Sequence, residues 1–133
     1  MLQISLLING FYGVLLGFLI LSWYITPLFI KLFVGEHYNL GDHGQMWANW
    51  HAIGCFYVGL SNFLAYSWAD SFLVAKQDIC LISAFIFGTW AVQNLWLMLK
   101  TDKMKPLMWM NVIGCFISAL LALGGYLNQL SHL

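Results

Sequence analysis

The residues of this sequence that could do chemistry are polar side chains set inside long apolar stretches. They are Asn9, His51, Asn62, Gln93, Asn94 and Asn111. Polar groups are costly in an apolar environment, so such residues mark either a functional site or hydrogen bonds between helices. Four of them lie roughly 8–10 Å inside their apolar stretches, at about 1.5 Å per helical residue. These are His51, Gln93, Asn94 and Asn111, and Tyr24 falls at the same depth.

A shared depth predicts a layer in which side chains from several helices meet and bind a small hydrophobic molecule. His51 would act as the acid, base or hydrogen-bond donor of this site, because imidazole can fill each role near neutral pH. The neighbouring Trp50 would line the pocket. The groups predicted to orient the ligand are Asn111, Gln93, Asn94 and Tyr24. The alternative is that the polar groups form only interhelical hydrogen bonds, worth about 1 kcal/mol or less each.

The histidines do not match a metal or haem site. Ligation of a haem by two histidines needs imidazoles at matching depth on facing helices, yet only His51 lies well inside an apolar stretch. His37 and His43 stand near Glu36 and Asp42, but their spacing matches no zinc or calcium pattern. We therefore predict a solvated loop here, with no metal site and no cofactor identified.

The elements that carry these residues follow from composition. Of the 133 residues, 62% are hydrophobic and 8% are charged, against about 25% charged in a soluble domain. Four apolar stretches are each long enough for the ~20 residues that a membrane-spanning helix needs. The predicted spans are about 5–31, 44–69, 77–99 and 106–130. The sequence thus predicts a single all-α domain, an integral membrane four-helix bundle in a plasma, inner or organelle membrane.

Charge placement predicts how this bundle is oriented. Four of the five lysines follow the first or third span, and only Lys76 lies between the second and third. Because lysine is enriched in cytoplasmic loops, both termini are predicted to lie on the non-cytoplasmic side. The formal net charge is zero and no basic cluster occurs, which argues against nucleic acid as a partner.

A short internal repeat relates the second and fourth spans. Residues 53–60 match residues 113–120 at five of eight positions. The two spans run in the same direction, so a duplicated hairpin would relate them by a two-fold axis along the membrane normal. This predicts two tandem helical hairpins, with His51 set opposite its counterpart Asn111. Chance similarity within a restricted apolar alphabet is the alternative.

Small residues within the spans predict close packing between helices. They are Gly10, Gly13 and Gly17 in the first span, Ala84 and Gly88 in the third, and Gly124 and Gly125 in the fourth. Cys55, Cys80 and Cys115 are interpreted in the same way, as small packing residues and not as halves of disulfides.

These features favour a small accessory or structural subunit of a larger membrane complex, with no enzymatic activity of its own. The loops between spans are too short for a soluble catalytic domain, and no charged residue lies well inside a span, as a proton relay would require. The expected partners are membrane lipids and either other membrane subunits or further copies of this chain. A binding protein or enzyme for a small hydrophobic molecule is the first alternative. A passive oligomeric channel lined by Asn62 and Asn111 is the second.

Overall fold

The computed structural model describes residues 1–21, 32, 41–100 and 106–130, apart from the side chains of residues 43, 47, 70 and 128–130. Within these residues the chain is helical and has no strand, which confirms the predicted all-α class. Its four helices are α1 (Leu2–Ile20), α2 (Gly41–Ser67), α3 (Leu73–Lys100) and α4 (Met108–Leu130). The 3-10 turn Asp70–Phe72 leads into α3.

Three helices begin and end close to the predicted limits, but α1 is shorter than its apolar stretch. The backbone leaves the helical region at Leu21, where φ is −59° and ψ is 124°. Apolar character extends the predicted span to residue 31. The remainder of that predicted span, including Tyr24, lies outside the described residues.

By length and composition, three helical segments could cross a membrane. They are Leu2–Ile20, Leu73–Lys100 and Met108–Leu127. Helix α2 has 27 residues, which corresponds to about 40 Å, but it is less apolar than the other three. The described part of the chain is therefore compatible with a small membrane protein.

The helices pack as two antiparallel hairpins. The most extensive interfaces join α1 to α2 and α3 to α4, and the next largest joins α1 to α4. The interface between α2 and α3 is much smaller. The side chain of Met1 lies against Gly124, so the start of α1 and the last turns of α4 are at the same end of the bundle.

Glycines in α1 allow α2 to approach at backbone distance. A Cβ atom at Gly13 would lie 2.7 Å from the Cα of Gly59, so only glycine fits there. On either side, the rings of Phe63 and Phe56 occupy the space over Gly10 and Gly17. The predicted role of these three α1 glycines in close helix packing is confirmed.

Helices α2 and α4 bury corresponding faces, in agreement with the internal repeat. Six described side chains or glycines of α2 are buried, and five of them have a buried counterpart 60 residues later in α4. The five are Ala52, Cys55, Val58, Asn62 and Ala65, whereas Gly59 corresponds to the half-buried Ala119. Cys55 and its counterpart Cys115 belong to the same hydrophobic cluster. Both are free thiols, as is Cys80. Their predicted role as buried packing residues is confirmed.

Equivalent residues of α1 and α3 are 75 positions apart in the sequence, not 60 as in α2 and α4. No sequence match reveals this second correspondence. Residues 75 positions apart meet across the two hairpins. The rings of Tyr12 and Phe87 have centroids 5.6 Å apart, and the Oγ of Ser5 lies 3.8 Å from the Sγ of Cys80. Contact between equivalent residues is expected where a two-fold axis passes between two helices.

Helix α3 begins earlier in the chain than predicted, and this places a lysine inside the helix. Helix α3 begins at Leu73, not at residue 77, because the 3-10 turn leads directly into it. Lys76 therefore lies within the helix, where its side chain is fully buried. In the sequence it counts as a loop lysine, whereas in the fold it belongs to the helical bundle.

Candidate functional site

Side chains of the predicted ligand layer are joined by a line of ring contacts through the bundle. Asn111 contacts the hydroxyl of Tyr12, and Tyr12 stacks near Phe87 at 5.6 Å between centroids. The ring of Phe87 lies 5.6 Å from that of Trp90, which lies 4.8 Å from the imidazole of His51. Three aromatic rings therefore stand between His51 and Asn111 along this line.

Asn111 links α4 to α1. The hydroxyl of Tyr12 lies 3.1 Å from both the backbone oxygen and the Oδ1 of Asn111, and it can donate its one proton to either. The same hydroxyl lies 3.6 Å from the Sγ of Cys115. The contact has the geometry of the interhelical hydrogen bond that the sequence left open as the alternative to a ligand. Beside it, Tyr12 and Asn111 line a cavity of about 310 Å³ between α1 and α4.

His51 and Trp50 lie on the surface of α2. His51 is exposed, and its one described ring contact is the packing against Trp90 of α3. Trp50 is 68% exposed and so points away from the bundle interior. A molecule outside the bundle would therefore contact these two side chains before it reached the buried core. A ligand role for these two residues stays a prediction.

The remaining predicted site residues lie elsewhere. Gln93 is exposed and lines a groove on the outer side of α3 and α4, and Asn94 is half-buried. Tyr24 lies outside the described residues. Gln93 and Asn111 thus line two different cavities, because a common depth in the bundle does not imply a common face.

Two fully buried asparagines make hydrogen bonds elsewhere in the bundle. Asn9 and Asn62 are fully buried. The Nδ2 of Asn62 donates to the Oγ of Ser83 at 2.7 Å and to the backbone oxygen of Val58 at 2.8 Å. The Nδ2 of Asn9 lies 3.4 Å from the Oγ of Ser5. Within the part of the chain that the structure describes, the Oδ1 atoms of both asparagines have no hydrogen-bond partner.

Sequence reasoning noted Asn9 and Asn62 as polar but did not assign them to the ligand site, and it did not single out Ser83 at all. The asparagines carry a signal, since a carboxamide inside an apolar helix needs partners. Serine carries a weaker one, because its hydroxyl can bond to the backbone of its own helix. The pairing of Asn62 with Ser83, 21 positions apart, appears only when α2 and α3 are brought together.

The contacts described for these side chains are hydrogen bonds, ring contacts and apolar packing. Among the described residues, no three His, Cys, Asp or Glu side chains come together as metal ligands would. Comparison with protein-family models, with characterised proteins and with solved structures finds no match to this chain.

Proposed function

We propose that this chain is a four-span membrane protein that serves as an accessory subunit of a larger membrane assembly. Three of its helices have the length and apolar character of membrane spans. Helix α2 runs antiparallel to α1 in backbone contact with it, which favours a common path through the bilayer. Only one of the five lysines, Lys76 in the first turn of α3, lies near the turn between α2 and α3 in the sequence, whereas the other four follow the first or third predicted span. This asymmetry supports placing this end of the bundle, with both termini, on the non-cytoplasmic side.

The observation that carries the subunit role is an open groove along α3 and α4. It measures about 820 Å³ and is lined by Ala84, Phe85, Gly88, Thr89, Val92, Gln93, Trp96 and Phe116. Ala84 and Gly88 are four residues apart, the small-residue spacing at which a second transmembrane helix can approach closely. Larger side chains on either side of these two residues would flank such a helix.

Gly13 and Gly88 hold equivalent places in the two hairpins but differ in what covers them. A Cβ at Gly13 would meet the backbone of Gly59 at 2.7 Å, so that small-residue face is filled from within the chain. A Cβ at Gly88 would have one neighbour within 4 Å among the described residues, the Cβ of Ala119 at 3.9 Å. Among the described residues, the surface over Gly88 in the second hairpin is therefore open, whereas α2 covers the surface over Gly13 in the first.

Gln93 gives a partner in this groove a polar anchor. It is exposed in the groove and lies about 10 Å from the C-terminal end of α3, at 1.5 Å per residue. A carboxamide facing hydrocarbon at this depth has no water to bond to, whereas a partner helix can supply donors and acceptors. We therefore propose a transmembrane helix of another subunit as the occupant.

Two glycine variants test this function. The tagged chain is isolated from its own membranes in mild detergent, and native mass spectrometry records the mass of the assembly. Gly88→Leu should weaken retention of the partner about tenfold or more, because the added side chain fills the groove. Gly54→Leu is the matched control, since a Cβ there meets nothing within 4 Å and Gly54 lies on α2.

Each result has a distinct meaning. Isolation of the wild-type chain alone, under conditions that preserve known membrane complexes, would refute the accessory role. A partner that is retained equally by the wild type and by Gly88→Leu would refute the groove as its binding surface. An assembly whose mass is a multiple of the mass of this chain would mean that the partner is a second copy of this chain and not a different subunit.

A further inference from the structure

Among the described residues, α2 and α3 pack loosely against each other across the two hairpins. The two-fold relation pairs the α2 and α3 interface with the α4 and α1 interface, yet the former is much smaller. A cavity of about 270 Å³ lies in the cleft between α2 and α3, near the lower limit of ~300 Å³ for pockets that bind small molecules. Its lining is Tyr57, Val58, Ser61, Asn62, Leu64, Trp68, Ile79, Ile82, Ser83 and Ile86.

Asn62, one of the residues that line the cleft, carries a buried hydrogen-bond acceptor that has no donor among the described residues. Asn62 is 0% exposed. Both protons of its Nδ2 are used, one by the backbone oxygen of Val58 and one by the Oγ of Ser83. Its Oδ1 has no partner among the described residues, although an unsatisfied buried acceptor costs about 1–3 kcal/mol. The hydrogen bond to Ser83 holds the carboxamide in place, so this acceptor is positioned in advance.

The walls around this acceptor determine what could reach it. Most of them are aliphatic or aromatic, and the outer ones are on the bundle surface, with Leu64 and Ile82 more than half exposed. In the proposed membrane placement this opening faces hydrocarbon. A molecule that enters from there must be apolar over most of its length, and it gains a hydrogen bond only if it carries a donor.

We propose that the cleft between α2 and α3 binds a lipid-soluble molecule whose hydroxyl group donates a hydrogen bond to the Oδ1 of Asn62. Its hydrocarbon part lies against Ile79, Ile82 and Ile86 of α3. The inference rests on the proposed placement in a membrane but not on the proposed partner helix, since the groove of α3 and α4 is a different surface.

Photolabelling with a matched pair of probes tests this site. The purified chain is reconstituted into liposomes with a long-chain alcohol that carries a diazirine group, or with the methyl ether of the same compound. The ether has the same apolar body but cannot donate a hydrogen bond. We expect the alcohol to label residues 57–86 of the wild-type chain about fivefold more than the ether does, the factor for one hydrogen bond of about 1 kcal/mol.

Three variants complete the experiment. Asn62→Leu removes the acceptor and should reduce labelling by the alcohol to the level of the ether. Asn9→Leu is the matched control and should leave labelling unchanged. Asn9 is also fully buried, its Oδ1 has no hydrogen-bond partner within the described part of the chain, and it is not among the residues that line the cleft. Ile82→Trp narrows the opening at an exposed position and should block both probes while Asn62 stays intact.

The outcomes separate the two proposals. Equal labelling by alcohol and ether, or labelling by the alcohol that survives Asn62→Leu, would overturn the hydrogen bond to Asn62. Undiminished labelling of the Ile82→Trp variant would overturn the cleft itself, even if Asn62→Leu proved unable to fold. Failure of the wild-type chain to float with the liposomes would instead overturn the membrane placement.

Discussion

Replacing Gly13 by alanine tests whether the close contact of α1 with α2 holds the first hairpin together. The added Cβ would lie 2.7 Å from the Cα and the backbone nitrogen of Gly59. Carbon atoms in favourable contact are about 3.5–4.0 Å apart, so the two helices must separate by roughly 1 Å. Backbone atoms cannot rotate away as a flexible side chain can, and the separation also loosens Phe63 over Gly10.

The expected cost follows from two opposing effects. Overpacking of a tight interface costs about 1–3 kcal/mol. Alanine recovers about 0.5–1 kcal/mol over glycine through the lower conformational entropy of the unfolded backbone. We therefore expect Gly13→Ala to lower the free energy of unfolding by about 1–2 kcal/mol. Gly54→Ala adds a Cβ in open space and should instead raise it by about 0.5–1 kcal/mol.

Titration of the detergent-solubilised chain with sodium dodecyl sulfate, followed by near-ultraviolet circular dichroism of its tryptophans, measures both variants. Near-ultraviolet signals report tertiary packing, whereas helical content persists in this detergent. The two midpoints should move in opposite directions from the wild type. Equal shifts of the two variants would refute the argument, because helix propensity alone would then account for both.

Two further pairs of substitutions test the core in the same titration. Tyr12→Phe removes the hydroxyl that reaches Asn111 and should lower the free energy of unfolding by about 0.5–1.5 kcal/mol. Tyr57→Phe, at a side chain 74% exposed, should change the midpoint little. Equal losses of stability in the two variants would contradict the interhelical hydrogen bond. Phe87→Ala should cost at least about 2 kcal/mol through the cavity it leaves, because Phe87 is 0% exposed and Phe85 is 76% exposed. Phe85→Ala should have little effect, and the reverse order would mean that α3 packs through its other face.

The helical class of the chain and the approximate extent of α2, α3 and α4 could be predicted from the sequence. Long apolar stretches with few charges leave a helix as the simplest way to satisfy every backbone hydrogen bond. The limit of α1 could not be predicted in this way. Its apolar stretch continues past Ile20, and local conformation at Leu21, not hydrophobicity, ends the helix.

The candidate site was less predictable because the faces of these helices resemble one another. Where a helix has one polar face, the opposite apolar face is the one that packs inward. The helices of this chain also carry large apolar side chains on their exposed faces, so this distinction is missing. The depth of a residue could be counted along the sequence, but the direction in which its side chain points around the helix could not. Asn111 and Gln93 therefore looked like neighbours in a layer, although one bonds to Tyr12 inside the bundle and the other faces the outer groove.

What the sequence by itself determined is local: the helical class of the apolar stretches and the small residues of α1 that permit close contact. It suggested through the repeat around Cys55 and Cys115 that α2 and α4 bury corresponding faces, but it left chance similarity open. Only the tertiary structure decided which helix packs against each helix face. The 75-residue correspondence of α1 with α3 depends on how the hairpins cross, since no sequence match marks it. The same crossing brings Ser83 to Asn62, whose Oδ1 has no hydrogen-bond partner among the residues that the structure describes. Contacts between distant segments arise from packing, and packing is set by the shapes of all four helices together.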